Sequence, residues 1–576
     1  MISANGGAAT GTAGGGGGGR IAFNTVVSNN FSGQITAFGG SGIFPGGAGT
    51  IYSRGTTTKT LLVDNGGLNG TNTPLGNSFG MPSPPFDLNI SGAAVVVPFT
   101  QLPLINNLNL AVGSTFTVPA ARSNLFIAVL KNANLAGSVT VDNLGYAQAN
   151  GPGAGTTIAS KGSGAGYGGA GGNAANGAVG GTNYGSAAQP VDFGSGGGSG
   201  IISLTGGSEG GGAVRMSVGG NLNIDGNFSA NGDYGWQDDS GGGSGGSIYI
   251  SANSVSGAGT LSAYGGNGDL WNGGGGGGGR IAIYSLTNLF AGYTNVSGGF
   301  GAANGSPGTV FLSGTFANFF ALAQSPTGTV NNIVSYVDVS FNDAVDPSSV
   351  SSAAFTITTP TGVIDSASVT ASAVDATTVR VSFPVQNLNG NYSLAVTSGV
   401  ANIFGGPLAQ SFTGNFTIAV PTISGTVSDI NGAPAAGVTI QPDITLPAIV
   451  TDTNGNYSLG VPPGWNGNLT ASLGTNIFVP RILACTNVTT SLTNQNFLMV
   501  STVTPTLTSS STSTNFTMAW QGIPNVTYSV VYSADLVNWT AYGGTGLSLL
   551  GTNGPMQVTL PIDSSPMLFF RLNCSY

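Results

Sequence analysis

Histidine is absent from the 576 residues. That single absence removes a Ser-His-Asp triad, a His-ligated zinc site and an imidazole proton shuttle. Charge is almost as scarce: 11 basic and 20 acidic residues make up 5% of the chain, against about 25% in an ordinary soluble domain. A net charge of −9 with so few cations cannot gather the basic cluster that nucleic acid requires, and it excludes a polybasic membrane patch for the same reason. Cysteine occurs twice, at Cys485 and Cys574. The two suffice for one bridge or for two thiols, not for a disulfide framework, and no CxxC spacing supports a metal. No apolar run approaches the roughly 18 residues of a membrane span, so membrane insertion is not expected. The opening Met1-Ile-Ser-Ala-Asn-Gly-Gly7 lacks the basic and apolar regions of a signal peptide.

Glutamate appears once, as Glu209, and lysine three times, so strong helix formers are missing too. Thr, Ser, Val, Asn and Gly take their place, the composition of strands and turns. Low charge with 40% apolar content does not fit the signature of unfolded chains. The glycines run in blocks and not at every third position, which rules out collagen. The expected class is all-β.

Glycine is the abundant residue, 100 in all, with 79 of them before residue 320 and 21 after. The Gly-rich part repeats. Ala213-Val-Arg-Met-Ser-Val218, Ser247-Ile-Tyr-Ile-Ser-Ala252 and Arg280-Ile-Ala-Ile-Tyr-Ser285 align at spacings of 34 and 33, and Phe228-Ser-Ala matches Leu261-Ser-Ala at 33. Each unit reads as strand, short turn, strand and Gly-rich loop. A longer period of 259–260 lies over the short one: Arg20-Ile-Ala-Phe23 recurs as Arg280-Ile-Ala-Ile283, and Gly49-Thr-Ile-Tyr52 as Gly308-Thr-Val-Phe311. Residues 1–84 therefore read as the tail of a module whose full copy is 85–322. The expectation is a piece of a longer secreted polypeptide whose signal peptide lies in an upstream portion. A unit of this kind cannot bury its apolar face alone, and stacked neighbours make a continuous core. The favoured architecture is a parallel β-helix or β-solenoid. The alternative is a sandwich of polyproline-II-like glycine segments, suggested by the seven glycines Gly273–Gly279. Segment 150–200, mostly Gly, Ala and Ser, reads as large loops. Gly166-Tyr-Gly-Gly169 and the Gly-run-Arg-Ile-Ala pattern resemble the Gly-rich repeat portions of large bacterial surface proteins.

After about residue 323 the pattern changes to short alternating strands. Val334-Ser-Tyr-Val-Asp-Val-Ser-Phe341, with Val345-Asp-Pro-Ser-Ser-Val350 and Ala354-Phe-Thr-Ile357, resembles bacterial Ig-like domains of surface-layer proteins. Asp346 reads as a turn or cap residue, with calcium at Asp338, Asp343 and Asp346 as the alternative. Ile423-Ser-Gly-Thr-Val-Ser-Asp429, Thr451-Asp-Thr-Asn-Gly-Asn-Tyr457 and Val461-Pro-Pro-Gly464 resemble the carboxypeptidase regulatory-like domain, a small β-sandwich without peptidase chemistry. Phe516-Thr-Met-Ala-Trp520, Tyr528-Ser-Val-Val-Tyr532 and Phe569-Phe-Arg-Leu572 resemble fibronectin type III-like modules, and there Trp520 and Tyr528 read as core. The resemblances imply three β-sandwich domains after the solenoid, at 323–420, 421–499 and 500–576.

Chemistry has few places to sit. The full repeat module offers only Arg122, Lys131, Lys161, Arg215 and Arg280 as cations, and Arg280 recurs as Arg20 in a structural strand, where capping of loop carbonyls is the simpler role. One constellation stands out. Asn231-Gly-Asp233 followed by Trp236 aligns with Asn267-Gly-Asp269 followed by Trp271. Stacked units would place both tryptophans on neighbouring loops, each near an Asp. Flat aromatic faces beside carboxylate acceptors suit a glycan, while the competing reading has each Trp folding its loop onto the stack. Asp233, Asp238 and Asp239 offer the hard oxygens that calcium takes. The expectation is a non-enzymatic extracellular or bacterial cell-surface protein acting in adhesion or envelope architecture. Its expected partners are polysaccharide or other surface components, or further copies of itself. The rivals are a self-assembling filament or sheath subunit and a β-helix polysaccharide-degrading enzyme with accessory domains.

Overall fold

The computed structural model describes residues 1–24, 31–55, 58–75, 85–99, 102–119, 124–200, 208–235, 239–443, 446–500, 507–512, 514–523, 526–543, 547–552, 554–561 and 568–575. The architecture is all-β. Among the described residues helix is limited to three-residue 3-10 turns at Pro347–Ser349, Ser352–Ala354 and Ser366–Ser368.

From Thr73 to Ser313 the chain alternates between two sheets, except that Asn124–Val129 and Ala133–Leu135 both join the larger one and Thr157–Ile158 pairs with Lys161–Gly162 apart from either. The register repeats what the sequence spacing predicts. In the larger sheet Ala213 lies beside Ser247, Ser247 beside Arg280 and Arg280 beside Thr309, all parallel. In the smaller sheet Asn227 lies beside Thr260 and Thr260 beside Tyr293. Period-two alternation sends Val214, Ile248 and Ile281 inward as one row and Met216, Ile250 and Ile283 as the next, opposite Phe116, Val139, Phe228 and Leu261. All belong to one core that begins at Ala48. Burial of each such side chain contributes about 1.5–3 kcal/mol, and a unit standing alone would leave it wet. Pairing runs on through the segment around residue 85, with Thr60–Asp64 beside Asp87–Ser91. One junction in the large sheet is antiparallel, where Thr50–Arg54 meets Lys59–Asp64.

Several outward positions of the larger sheet carry amides that bond to one another. Asn134 Nδ2 donates to Asn109 Oδ1 at 3.3 Å, Asn223 Nδ2 to Asn134 Oδ1 at 3.0 Å and Ser256 Oγ to Asn223 Oδ1 at 3.1 Å. An amide both donates and accepts, so like residues can stack in register where like charges would repel.

The Gly-rich segments, including much of 150–200, are not loose loops. Amides in the Gly273–Gly279 run donate in rotation to three neighbouring segments. Gly274 and Gly277 reach the carbonyls of Gly162 and Ala165, Gly275 and Gly278 those of Ala303 and Ser306, and Gly276 and Gly279 those of Gly266 and Ala263. A three-residue rotation is the period of polyproline II, and buried amides with no strand partner must find acceptors in this way. The segments approach so closely that only hydrogen fits between them. A Cβ on Gly274 would stand 1.9 Å from the Gly172 carbonyl oxygen, and one on Gly276 2.1 Å from that of Gly243. Close backbone packing of glycine segments, the feature that suggested the alternative to a β-helix, is thus present beside the two sheets.

Three further two-sheet bodies follow, each with its own apolar core: Phe319–Val420, Ile423–Phe497 and a last one around Met518, Trp520, Tyr528 and Leu560. Trp520 and Tyr528 are buried, as their alternating strand positions imply. Asp338, Asp343 and Asp346 do not share a cation. Asp338 pairs with Arg380 through two contacts of 2.7 Å, and Asp346 caps Pro347–Ser349 through the Ser348 amide. Asp343 reaches across to the large sheet, meeting Arg215 at 3.1 Å and Ser217 Oγ at 2.7 Å. The Arg215 guanidinium lies between the rings of Phe126 and Tyr249, 5.2 and 5.0 Å from their centroids. Beside it, Leu104 and Ala128 pack against Ala344, Ala376 and Ile403, so the first body after the stack is docked on the outer face of the large sheet. Cys485 and Cys574 are free thiols.

Candidate ligand-binding site

The rim of the glycine bundle is built from the turns that follow each short strand. Asn231 accepts the Tyr264 amide at 3.0 Å, and Asn267 accepts the Phe300 amide at 2.8 Å, each 33 residues on. Side-chain amides thereby clamp successive turns together where regular pairing has ended. The Gly235 amide donates to the Asn267 carbonyl and the Gly268 amide to that of Phe300, so the segments bearing Tyr234, Asn267 and Phe300 are neighbours.

Within this rim Asp269 forms a tight turn. Its Oδ1 accepts the amides of Trp271 at 3.0 Å and Asn272 at 2.9 Å, while its carbonyl accepts the Gly273 amide. Asn272 is fixed from two further sides, donating to Asp239 Oδ1 at 2.6 Å and accepting from Lys161 Nζ at 2.5 Å. The turn is held by its polar groups alone, and its apolar side chains point out: Trp271 is 84% exposed and Leu270 66%. Trp271 does not fold its loop onto the stack. Three charged side chains and an Asn support an indole that is left open to solvent.

Asp233 sits differently. Its carboxylate accepts the Tyr234 amide at 2.9 Å and Asn143 Nδ2 at 3.2 Å, and burial holds its carboxyl above the usual range. Glu209 is also raised, by burial first and then by the Asp233 charge. The Asn231-Gly-Asp and Asn267-Gly-Asp motifs are 36 residues apart, yet the backbone stacks at the 33-residue step set by the strands. The Asp233 carbonyl consequently lies against Gly266, and it is Asp239 that faces the unit bearing Asn272. Asp233 and Asp269 are not equivalent positions. Trp236 and Asp238 lie outside the described residues. Of the three carboxylates considered for calcium, Asp233 and Asp239 each have protein partners. Among the described residues no three Cys, Asp or Glu side chains group as a metal site.

Sequence reasoning missed Tyr234, Tyr264 and Phe300. The Tyr234 and Tyr264 hydroxyls are 3.3 Å apart, and Phe300 is 63% exposed. The usable signal was an Asn followed 33 residues later by an aromatic, seen at 231/264 and 267/300. Of the cations, Arg280 has the role read for it: it donates to the carbonyls of Tyr184 and Tyr167 in the Gly-rich segments and to Thr309 Oγ1.

Among the described residues no helix is long and apolar enough to cross a membrane. No protein-family model matches the chain, and no curated protein does. Solved structures similar to parts of it include a fragment of alpha-2-macroglobulin from Escherichia coli, with 10% identity over 45% of this chain and 96% of that one and a TM-score of 0.16. The N-terminal part of a bacterial S-layer protein matches with 14% identity over 25% of this chain and 44% of that one, at a TM-score of 0.15. The major pilin subunit of Bacillus cereus matches with 8% identity over 34% and 74%, at 0.14.

Proposed function

We propose that this chain is a non-enzymatic cell-surface protein that presents Trp271 to polysaccharide from a rigid stack. In this reading the two parallel sheets are the walls of a β-solenoid, supported by the 33-residue register and the single core between them. The three bodies that follow are its Ig-like, carboxypeptidase regulatory-like and fibronectin type III-like modules, at 323–420, 421–499 and 500–576.

The observation that carries the reading is Trp271, 84% exposed on a turn that Asp269 and Asn272 hold without its help. An indole left open to water costs solubility unless something covers it, and its flat face suits the apolar face of a sugar ring. Preorganisation by the Asp269 turn spares the entropy of ordering the loop on binding. Phe300 and Tyr234 on adjoining segments extend the aromatic surface. The non-enzymatic part rests on how the cations are used: Arg215 docks a domain, Arg280 caps carbonyls and Lys161 holds Asn272.

Retention on insoluble cellulose, chitin and α-glucan tests this reading. The parent chain is expected to sediment with at least one polymer and Trp271→Ala to lose most of that retention, with an unchanged thermal midpoint. Equal retention of both chains, or none of either, would refute it.

A further inference from the structure

The last strand of the large sheet, Thr309–Ser313, ends the stack, and among the described residues no strand pairs with its outer edge. The edge continues the core rows. Val310 follows Ile281 and Leu312 follows Ile283, yet the two are 45% and 59% exposed where their predecessors are buried. Exposed Leu286, Leu289 and Tyr293 belong to the same final turn. Natural sheets guard such edges with charge, proline or a covering segment. Thr309-Val-Phe-Leu-Ser313 has neither charge nor proline.

The chain itself shows what an edge of this kind accepts. Thr50–Arg54 is the corresponding strand of the first copy: Thr50 lies beside Arg20 as Thr309 lies beside Arg280, and the amides of both threonines donate to the glycine carbonyl before that arginine. On its outer edge Thr50–Arg54 takes an antiparallel strand, with Ile51 opposite Leu62 and Ser53 opposite Thr60. Both copies continue with Gly-Thr, at 55–56 and 314–315, and then diverge. The first returns alongside as Lys59–Asp64. The second sends Phe316 and Ala317 over the outer face onto Tyr284 and Phe311, leaving the place beside Thr309–Ser313 open.

We infer that this place is filled by the same strand of a second copy, in a two-fold dimer. A two-fold axis pairs a strand with itself only antiparallel, the direction that the first copy uses. The strand is self-complementary in that direction: Thr309 falls opposite Ser313, Val310 opposite Leu312 and Phe311 opposite the same residue of the second copy. Because the Thr309 amide points inward, the outward backbone groups are those of Val310 and Leu312, which this register joins. The inference stands independently of the polysaccharide reading.

Sedimentation velocity of the full chain tests it, with the thermal midpoint as a check on folding. The parent should weigh twice 56.6 kDa. Leu312→Pro removes one outward donor and no inward one, and Leu312→Lys places a charge on the edge; each should give a folded monomer. Phe311→Cys should form a disulfide-linked dimer under mild oxidation, since Cα atoms facing across a non-hydrogen-bonded pair are about 4.5 Å apart. Leu312→Cys, facing Val310, should not. A parent that is monomeric up to about ten times the concentration used for the variants, or a dimer that survives both edge substitutions and leaves Phe311→Cys unlinked, would overturn the inference.

Discussion

At the scale of single residues, what is not there matters most. A methyl group on Gly276 would sit 2.1 Å from a backbone oxygen, and neither backbone can yield without breaking the bonds that hold it. Gly276→Ala should therefore destabilise the stack by about 3 kcal/mol or more, above the usual range for overpacking. Gly7→Ala, where nothing lies within 4 Å, should change it by less than about 0.5 kcal/mol. Urea unfolding followed by the absorbance of the buried Tyr167 and Tyr249 separates the two. Asp233 gives a second test. Its raised carboxyl pKa means that the folded form binds its proton more tightly than the unfolded chain does. Stability from this group is present at acid pH and declines as pH rises through the folded value. Asp233→Asn should raise the thermal midpoint at neutral pH and leave it unchanged in acid, a difference read by calorimetry at two pH values.

Among elements, the strands were the legible part. Ser247-Ile-Tyr-Ile and Arg280-Ile-Ala-Ile repeat with enough side chain to fix their register from sequence alone, and the pairing follows it residue for residue. The glycine run offered no such handle. Backbone packed on backbone leaves no pattern of apolar and polar residues, so loop and bundle read alike from the sequence. The Asn-Gly-Asp motif misled by three residues because turn chemistry recurs locally while register is set by the strands. Trp271 was found and its turn was not, since an Asp two residues before a Trp is common. Ile250, between Met216 and Ile283 in one inward row, bears on the same core: Ile250→Ala should cost about 2–5 kcal/mol, measured by equilibrium unfolding.

For the whole molecule, the contact least visible in sequence joins its parts. Arg215 and Asp343 lie far apart in the chain, and they form an ion pair with each other. Asp343→Ala leaves the Arg215 guanidinium between two rings and without its carboxylate. The first body should then detach from the sheet, seen as a larger radius of gyration in small-angle scattering, while both parts stay folded. Tyr167, buried among the Gly-rich segments, and Tyr249, buried beside Arg215 where the first body docks, set an alkaline limit. Burial pushes Tyr167 and Tyr249 up to about 12 from 10.0. The folded state keeps protons that an unfolded chain releases near pH 10. Stability is full below that pH and is lost between about pH 10 and 12, and phenolate absorbance should rise together with unfolding.

The glycine bundle also changes how this protein would look in a spectrometer. Polyproline II is a major conformer of unfolded chains, so the most tightly joined part of the molecule would give circular dichroism resembling disorder. Its amides, each tied to a segment distant in sequence, would at the same time be among the slowest to exchange with deuterium. Here optical signature and rigidity run in opposite directions: the bundle's share of the spectrum would look unfolded beneath the strand signal, while its exchange would mark it as native.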